Sequence, residues 1–75
     1  MNVKREYPVL VRKFQAIAPN VTTEDLMSAA IEMGCHYETI NRYLRGNVAK
    51  EKFGLQLISF LENRVKERET AHANG

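Results

Sequence analysis

The sequence predicts an all-α fold, a compact bundle of four helices, on three observations. Apolar residues recur at three- and four-residue spacing in four successive segments, the pattern of helices that each bury one stripe. Period-two alternation is absent beyond the short "VLV" at 9–11, so nothing reads as a sheet. Residues that start or stop helices punctuate the segments: Pro8, Pro19, Thr22, Gly34, Gly46 and Asn47.

The first segment runs from about Tyr7 to Ala18. Pro8 suits a first-turn position, where its missing N–H costs nothing. Tyr7, Leu10, Val11, Phe14 and Ile17 form the stripe, and Pro19-Asn20 ends it. The second runs from about Thr23 to Met33. Thr22 with Asp25 three residues later resembles a capping box, with Asp in place of Glu or Gln. Glu24 and Asp25 also suit the positive end of the helix dipole. Leu26, Ala29, Ala30 and Met33 share a face, Glu24, Asp25, Ser28 and Glu32 the opposite one, and Met27, Ile31 and Met33 read as core filler. Gly34 is the expected C-terminal glycine.

The third segment, about Tyr37 to Arg45, is closed by Gly46. Projected at about 100° per residue, Ile40, Tyr43 and Leu44 cluster on one face, with His36 near that side. Glu38, Asn41, Arg42 and Arg45 fall on the other, flanked by Tyr37 and Thr39. The fourth is expected to start after Asn47, a good cap residue, and to continue to about Glu67. Phe53, Leu57, Ile58, Phe60, Leu61 and Val65 are its apolar positions. Leu55 points outward beside this arc, and Leu55, Ile58 and Phe60 are together a candidate homodimer seam. The remaining "ETAHANG" has nothing to bury.

With 75 residues there is room for one small domain. Such a chain buries only about 60–65% of the surface it exposes unfolded, so its core is marginal. The single Cys35 rules out an internal disulfide. His36 and His72, the only histidines, do not make a zinc site with it. Cys35 itself reads as a small apolar filler, so self-association is the remaining support. The charged start "MNVKREYPVL" lacks a signal-peptide apolar stretch, and no run approaches a membrane span. A reduced, cytoplasmic, soluble protein is therefore expected.

The net charge of +2 is unevenly placed. Residues 1–35 carry four basic and four acidic side chains, residues 36–75 seven and five. The basic excess is compatible with a polyanion partner. An enzyme is not expected: no nucleophile–base pair, paired carboxylates, glycine-rich phosphate loop or metal set is present, and no cofactor or small-molecule substrate follows.

The second and third segments together have the form of a helix-turn-helix. A steep crossing needs a small residue at the contact, and Ala30 sits four before Gly34. The turn needs a residue tolerant of positive φ, which Gly34 supplies. Ile40 and Tyr43 pin the second helix to the core, and its front is free to enter a major groove about 12 Å wide. Nearly every residue on that front is able to make directional hydrogen bonds, which a merely solvated face does not require.

The stretch "GCHYETINRYLRG" resembles the turn and recognition helix of the lambda-repressor-like superfamily, and within it the lactose-repressor family. The matching residues are Gly34, Tyr37, Thr39, Ile40, Asn41, Arg42, the pair Tyr43-Leu44, and Gly46. The strong match covers about thirteen residues and a softer one roughly 22 to 66. His36 stands where these families place Ser or Thr as the cap. The resemblance implies a transcriptional regulator that binds double-stranded DNA. A phage or mobile-element factor of similar size fits as well.

Carried over position by position, Tyr37 and Arg42 resemble base-edge readers, Glu38 occupies a position that commonly reads bases, and Thr39 and Asn41 resemble phosphate or mixed contacts. Chemistry agrees: Arg grips guanine O6 and N7, and Glu accepts from cytosine N4. Tyr37, Glu38, Asn41 and Arg42 are thus the candidate base readers. His36, Thr39, Arg45, Lys50 and Lys52 are candidate phosphate contacts, with Thr22 and Thr23 through their N–H groups. Residues 1–67 then form a single helix-turn-helix domain, and 68–75 a disordered tail. The other reading from these residues is a protein-interaction module of the same fold, such as an antitoxin or anti-repressor-like binder, that never touches DNA.

Overall fold

The computed structural model describes the backbone of residues 7–74 and the side chains of 7–70. The charged start at 1–6 and the side chain of His72 lie outside the described residues. Helix α1 spans Pro8–Ile17 and runs into a 3₁₀ turn at Ala18–Asn20; α2 spans Thr23–Met33, α3 Tyr37–Leu44 and α4 Glu51–Asn74. No strand occurs among the described residues. The all-helical expectation and the four segments are both found.

Phe14, Ile40, Leu57 and Leu61 are fully buried, one or two from each of α1, α3 and α4. Around them pack Leu10 and Ile17 of α1, Ala29 of α2, Tyr43 and Leu44 of α3, Val48, and Ile58 and Val65 of α4. Tyr43 is the aromatic hub: its ring meets Phe14 edge-on at 5.7 Å and Phe53 tilted at 5.1 Å. α1 and α2 both pack against α4, and α3 packs against α1 and α2.

α2 begins with the full capping box. Thr22 Oγ1 accepts from the Asp25 N–H at 3.1 Å, and Asp25 Oδ2 accepts from the Thr22 N–H at 3.0 Å. Its other end is a Schellman turn: Gly34 sits at φ 69°, the Cys35 N–H reaches the Ala30 carbonyl at 3.0 Å and the Gly34 N–H reaches Ile31. Gly46, at φ 102°, is suited to glycine for a second reason besides its positive φ. A Cβ there would stand 3.0 Å from Gln15 Nε2 and 3.2 Å from Val11 Cγ1, because the exit of α3 presses against α1.

Several expectations change. Asn47 does not cap α4. Its N–H turns back to the Arg42 carbonyl at 2.9 Å, Val48 plugs into the core, and the helix starts only at Glu51. α4 also continues to Asn74, past the expected end near Glu67 and through most of the segment expected to be a disordered tail, because Arg68 has partners on α2 and the preceding turn.

Asp25, assigned to the polar face of α2, is fully buried. Met27 and Ile31 are not core filler: they are 50% and 82% exposed, with Met33 half-buried. Ala29 is the one buried apolar residue of α2, because a helix that crosses its neighbours at a small residue brings its backbone close and leaves long side chains outside. His36, expected near the core side, is exposed. Ile58 leaves the seam, since it is only 3% exposed and committed to the protein's own core; Leu55 is exposed and Phe60 half-buried.

Candidate nucleic-acid interface

The outward face of α3 is set by what its inward face must do. Ile40, Tyr43 and Leu44 are all buried, so the direction opposite them is fixed. At about 100° per residue, that direction is occupied by Glu38, Arg42 and Arg45, and all three are exposed. Tyr37, 44% exposed, flanks the stripe together with Thr39 and Asn41, which are half-buried. The structure thus gathers five sequence-predicted residues on one helix, with Arg45 at its C-cap, but their exposure ranks them differently. Arg45 stands in the central line, and Asn41 is at its margin.

A local ion pair between Glu38 and Arg42, four residues apart, would make this face an ordinary solvated one. Among the described residues the only ion pairs are those on Asp25, so Glu38, Arg42 and Arg45 make none. No described hydrogen bond uses their side chains either. Among the described residues, then, three charged groups stand unpaired in a row, Glu38 and Arg42 on a short helix anchored at both ends and Arg45 at its C-cap.

At the N-terminal anchor, His36 caps α3 as a hydroxyl would: its Nδ1 accepts from the Glu38 N–H at 3.2 Å. An accepting Nδ1 places the ring proton on Nε2, which leaves that donor for an outside acceptor. The His36 and Tyr37 rings stack at 4.6 Å, so the two side chains form one plate at the helix entrance. Cys35 packs half-buried behind the turn, where desolvation pushes its thiol pKa above the ordinary value.

The C-terminal anchor carries the lysines. The Lys50 N–H donates to the Tyr43 hydroxyl at 3.0 Å, and Val48 is buried between, so residues 47–50 are tied at two points before α4 begins. Lys50 and Lys52 are exposed. From residue 36 to residue 52 the chain holds Arg42, Arg45, Lys50 and Lys52 against Glu38 and Glu51. Arg64 and Arg68, which also contributed to the basic excess, are engaged elsewhere on Asp25.

Thr22 is not free to offer its N–H to a phosphate, because both its N–H and its Oγ1 are consumed in the capping box. Thr23 is exposed at the first position of the helix. Sequence reasoning missed the Asp25–Arg64–Arg68 cluster altogether. Two arginines four residues apart on α4 were the available signal, since i,i+4 spacing places both on one helix face. Among the described residues no group of three or more His, Cys, Asp or Glu converges to hold a metal ion, and no helix is long and apolar enough to cross a membrane.

Compared with known proteins, the chain matches no family model, no curated protein and no solved structure.

Proposed function

We propose that the protein binds double-stranded DNA with sequence preference, using α2, the Gly34 turn and α3 as a helix-turn-helix that presents α3 to the major groove. The observation that carries this is the row Glu38, Arg42 and C-cap Arg45, exposed and unpaired among the described residues, on the outward face of a helix anchored at both ends. Groups with directional hydrogen bonds, held rigidly and without partners of their own, suit base edges. The resemblance of residues 34–46 to the lambda-repressor-like recognition helix supports the same reading. Lys50 and Lys52, beside the tied loop, supply phosphate contacts that fix register. A single module of this size covers about 600–1,000 Å² of DNA-facing surface, so useful affinity calls for two copies on half-sites one helical turn apart. The biological role is that of a small regulator of transcription or of a mobile element.

The test is a binding titration of the full chain against a short mixed-sequence duplex across a salt series. Binding that weakens linearly in log salt, with a slope set by several phosphate contacts, supports the proposal. A folded chain that leaves the duplex free at about 0.05 M salt removes it.

A second reading, capture of a protein partner, is favoured by one observation: Met27 and Ile31, at i and i+4 on α2, are both exposed and point away from the core. A lone exposed apolar residue carries no meaning, but a pair one helical turn apart on one helix face suits a contact surface. Under that reading Ile31→Ser abolishes the interaction and Arg42→Ala leaves it intact.

A further inference from the structure

We infer that the row Glu38–Arg42–Arg45 makes this protein a reader of G·C pairs, and that Arg45 contacts a base rather than a phosphate. The inference rests on the DNA-binding reading above and narrows its substrate to duplexes whose half-site centres on a short G·C-rich run.

Position comes first. Glu38, Arg42 and Arg45 lie at i, i+4 and i+7, directly opposite the buried Ile40, Tyr43 and Leu44. Arg45 is the C-cap but keeps right-handed helical backbone, so at helical rise the row covers about 10.5 Å, close to three base-pair steps of about 3.4 Å. The line therefore spans a stretch of three or four pairs at the groove floor. Side chains that grip the sugar–phosphate walls leave a recognition helix from its flanks, and the flanks of α3 hold Thr39 on one side and Asn41 with Tyr37 on the other.

Chemistry then selects the pairs. A guanidinium offers parallel donors, which match the adjacent O6 and N7 acceptors of guanine; adenine sets an N6 donor beside N7, and thymine offers one acceptor beside a methyl group. A carboxylate only accepts, so Glu38 needs a donor. Cytosine N4 supplies one with an acceptor, guanine O6, on one side only, whereas adenine N6 stands between N7 and thymine O4, whose lone pairs both repel the carboxylate. None of the three side chains ends in an apolar group that would meet a thymine methyl. Asn41, the one side chain suited to adenine, is half-buried at the margin. Glu38 also acts against the wrong partners, since a carboxylate at the groove floor is repelled wherever it meets O6, O4 or N7 alone.

The experiment selects bound duplexes from a random pool with the full chain at about 0.15 M salt, then probes the winner with 7-deazaguanine, which keeps base pairing but lacks the N7 acceptor. The expected result is an enriched half-site with a run of three or four pairs dominated by G·C. Replacing its guanines singly weakens the wild type by about tenfold at two of them. That loss disappears at one in Arg42→Ala and at the other in Arg45→Ala. Two results overturn the inference while leaving DNA binding in place: an enriched A·T-rich centre, or Arg45→Ala weakening every duplex equally with the motif unchanged. If the folded chain retains no duplex at all, both the inference and the DNA-binding reading fail.

Discussion

Arg68 donates to both carboxylate oxygens of Asp25, at 2.8 and 3.1 Å, across forty-three residues of chain. Arg64 Nε adds a third contact at 2.8 Å, and Arg68 also reaches the carbonyl of Asn20. One carboxylate thus closes the capping box of α2, ties α4 to α2 and holds the 3₁₀ turn. Asp25 is fully buried while both arginines are partly exposed, so the cluster is a buried anion with hydrated counter-ions. Removing the carboxylate releases four hydrogen bonds and leaves the Thr22 N–H unmet. Asp25→Ala is expected to cost about 2–3 kcal/mol in urea unfolding at neutral pH, less than for a fully buried pair because the freed arginines rehydrate.

The same carboxylate makes stability depend on acid. Burial alone raises its pKa, but the Thr22 N–H and the two guanidiniums outweigh that and lower it from 3.8 to about 2. A pKa lower in the folded state means that the stabilisation is fully present above the unfolded value and is lost as pH falls toward the folded one. The window is therefore about pH 4 down to pH 2, and the loss about 2 kcal/mol. Urea midpoints measured across that window should fall steeply for the wild type and much less for Asp25→Asn. Equal slopes in the two proteins would place the acid sensitivity elsewhere.

Gly34 and Gly46 hold the two ends of the α3 unit, and they fail differently. A Cβ on Gly34 meets no atom within 4 Å, so Gly34→Ala carries only the left-handed backbone cost, about 1–2 kcal/mol. Gly46→Ala carries that cost and a collision with Gln15 and Val11. Thermal unfolding should rank wild type above Gly34→Ala above Gly46→Ala, and Gly34→Asn should recover part of the first loss, since Asn tolerates this conformation. The reverse order of the two alanine variants would contradict the packing of the α3 exit on α1.

Much of this fold is legible in the sequence because its signals are local. The Thr22–Asp25 box, the Gly34 stop and the inward set Ile40, Tyr43 and Leu44 all act within a few residues, and each is found where its spacing puts it. The errors arise where distant chain decides. Asp25 reads as solvated on a helical wheel and is buried because Arg64 and Arg68 come to it from α4. Asn47 is a good cap by type, but the Tyr43 hydroxyl at Lys50 and the pocket for Val48 delay α4 by several residues. On α3 the wheel gives the correct outward face. Ranking Arg45 above Asn41 needs the actual burial of its neighbours.

The Tyr43 hydroxyl links core to loop, accepting from the Lys50 N–H while the ring packs on Phe14 and Phe53. Tyr43→Phe keeps the ring and removes the acceptor. A loss of about 0.5–1.5 kcal/mol is expected, since the exposed Lys50 backbone can turn to water. Amide hydrogen exchange is the sharper readout: the Lys50 N–H should exchange faster in the variant while Leu57 and Leu61 in the core keep their protection. Unchanged exchange at Lys50 would mean that the loop is held by Val48 alone.

Under the proposed DNA-binding function, Arg42 and Lys50 would separate reading from gripping. Arg42 lies in the central line of α3, without an ion-pair partner among the described residues. Arg42→Ala should cost about 1–3 kcal/mol at one base position and leave other positions as selective as before. Lys50 sits in the tied loop, exposed, where a phosphate contact would carry no sequence information. Lys50→Ala should weaken all duplexes alike and reduce the slope of log affinity against log salt by about one. Titrating both variants against a selected duplex and a scrambled one, over a salt series, distinguishes the roles. If Arg42→Ala changes only the salt slope, the residue grips the backbone and the specificity of α3 must lie in Glu38 and Arg45.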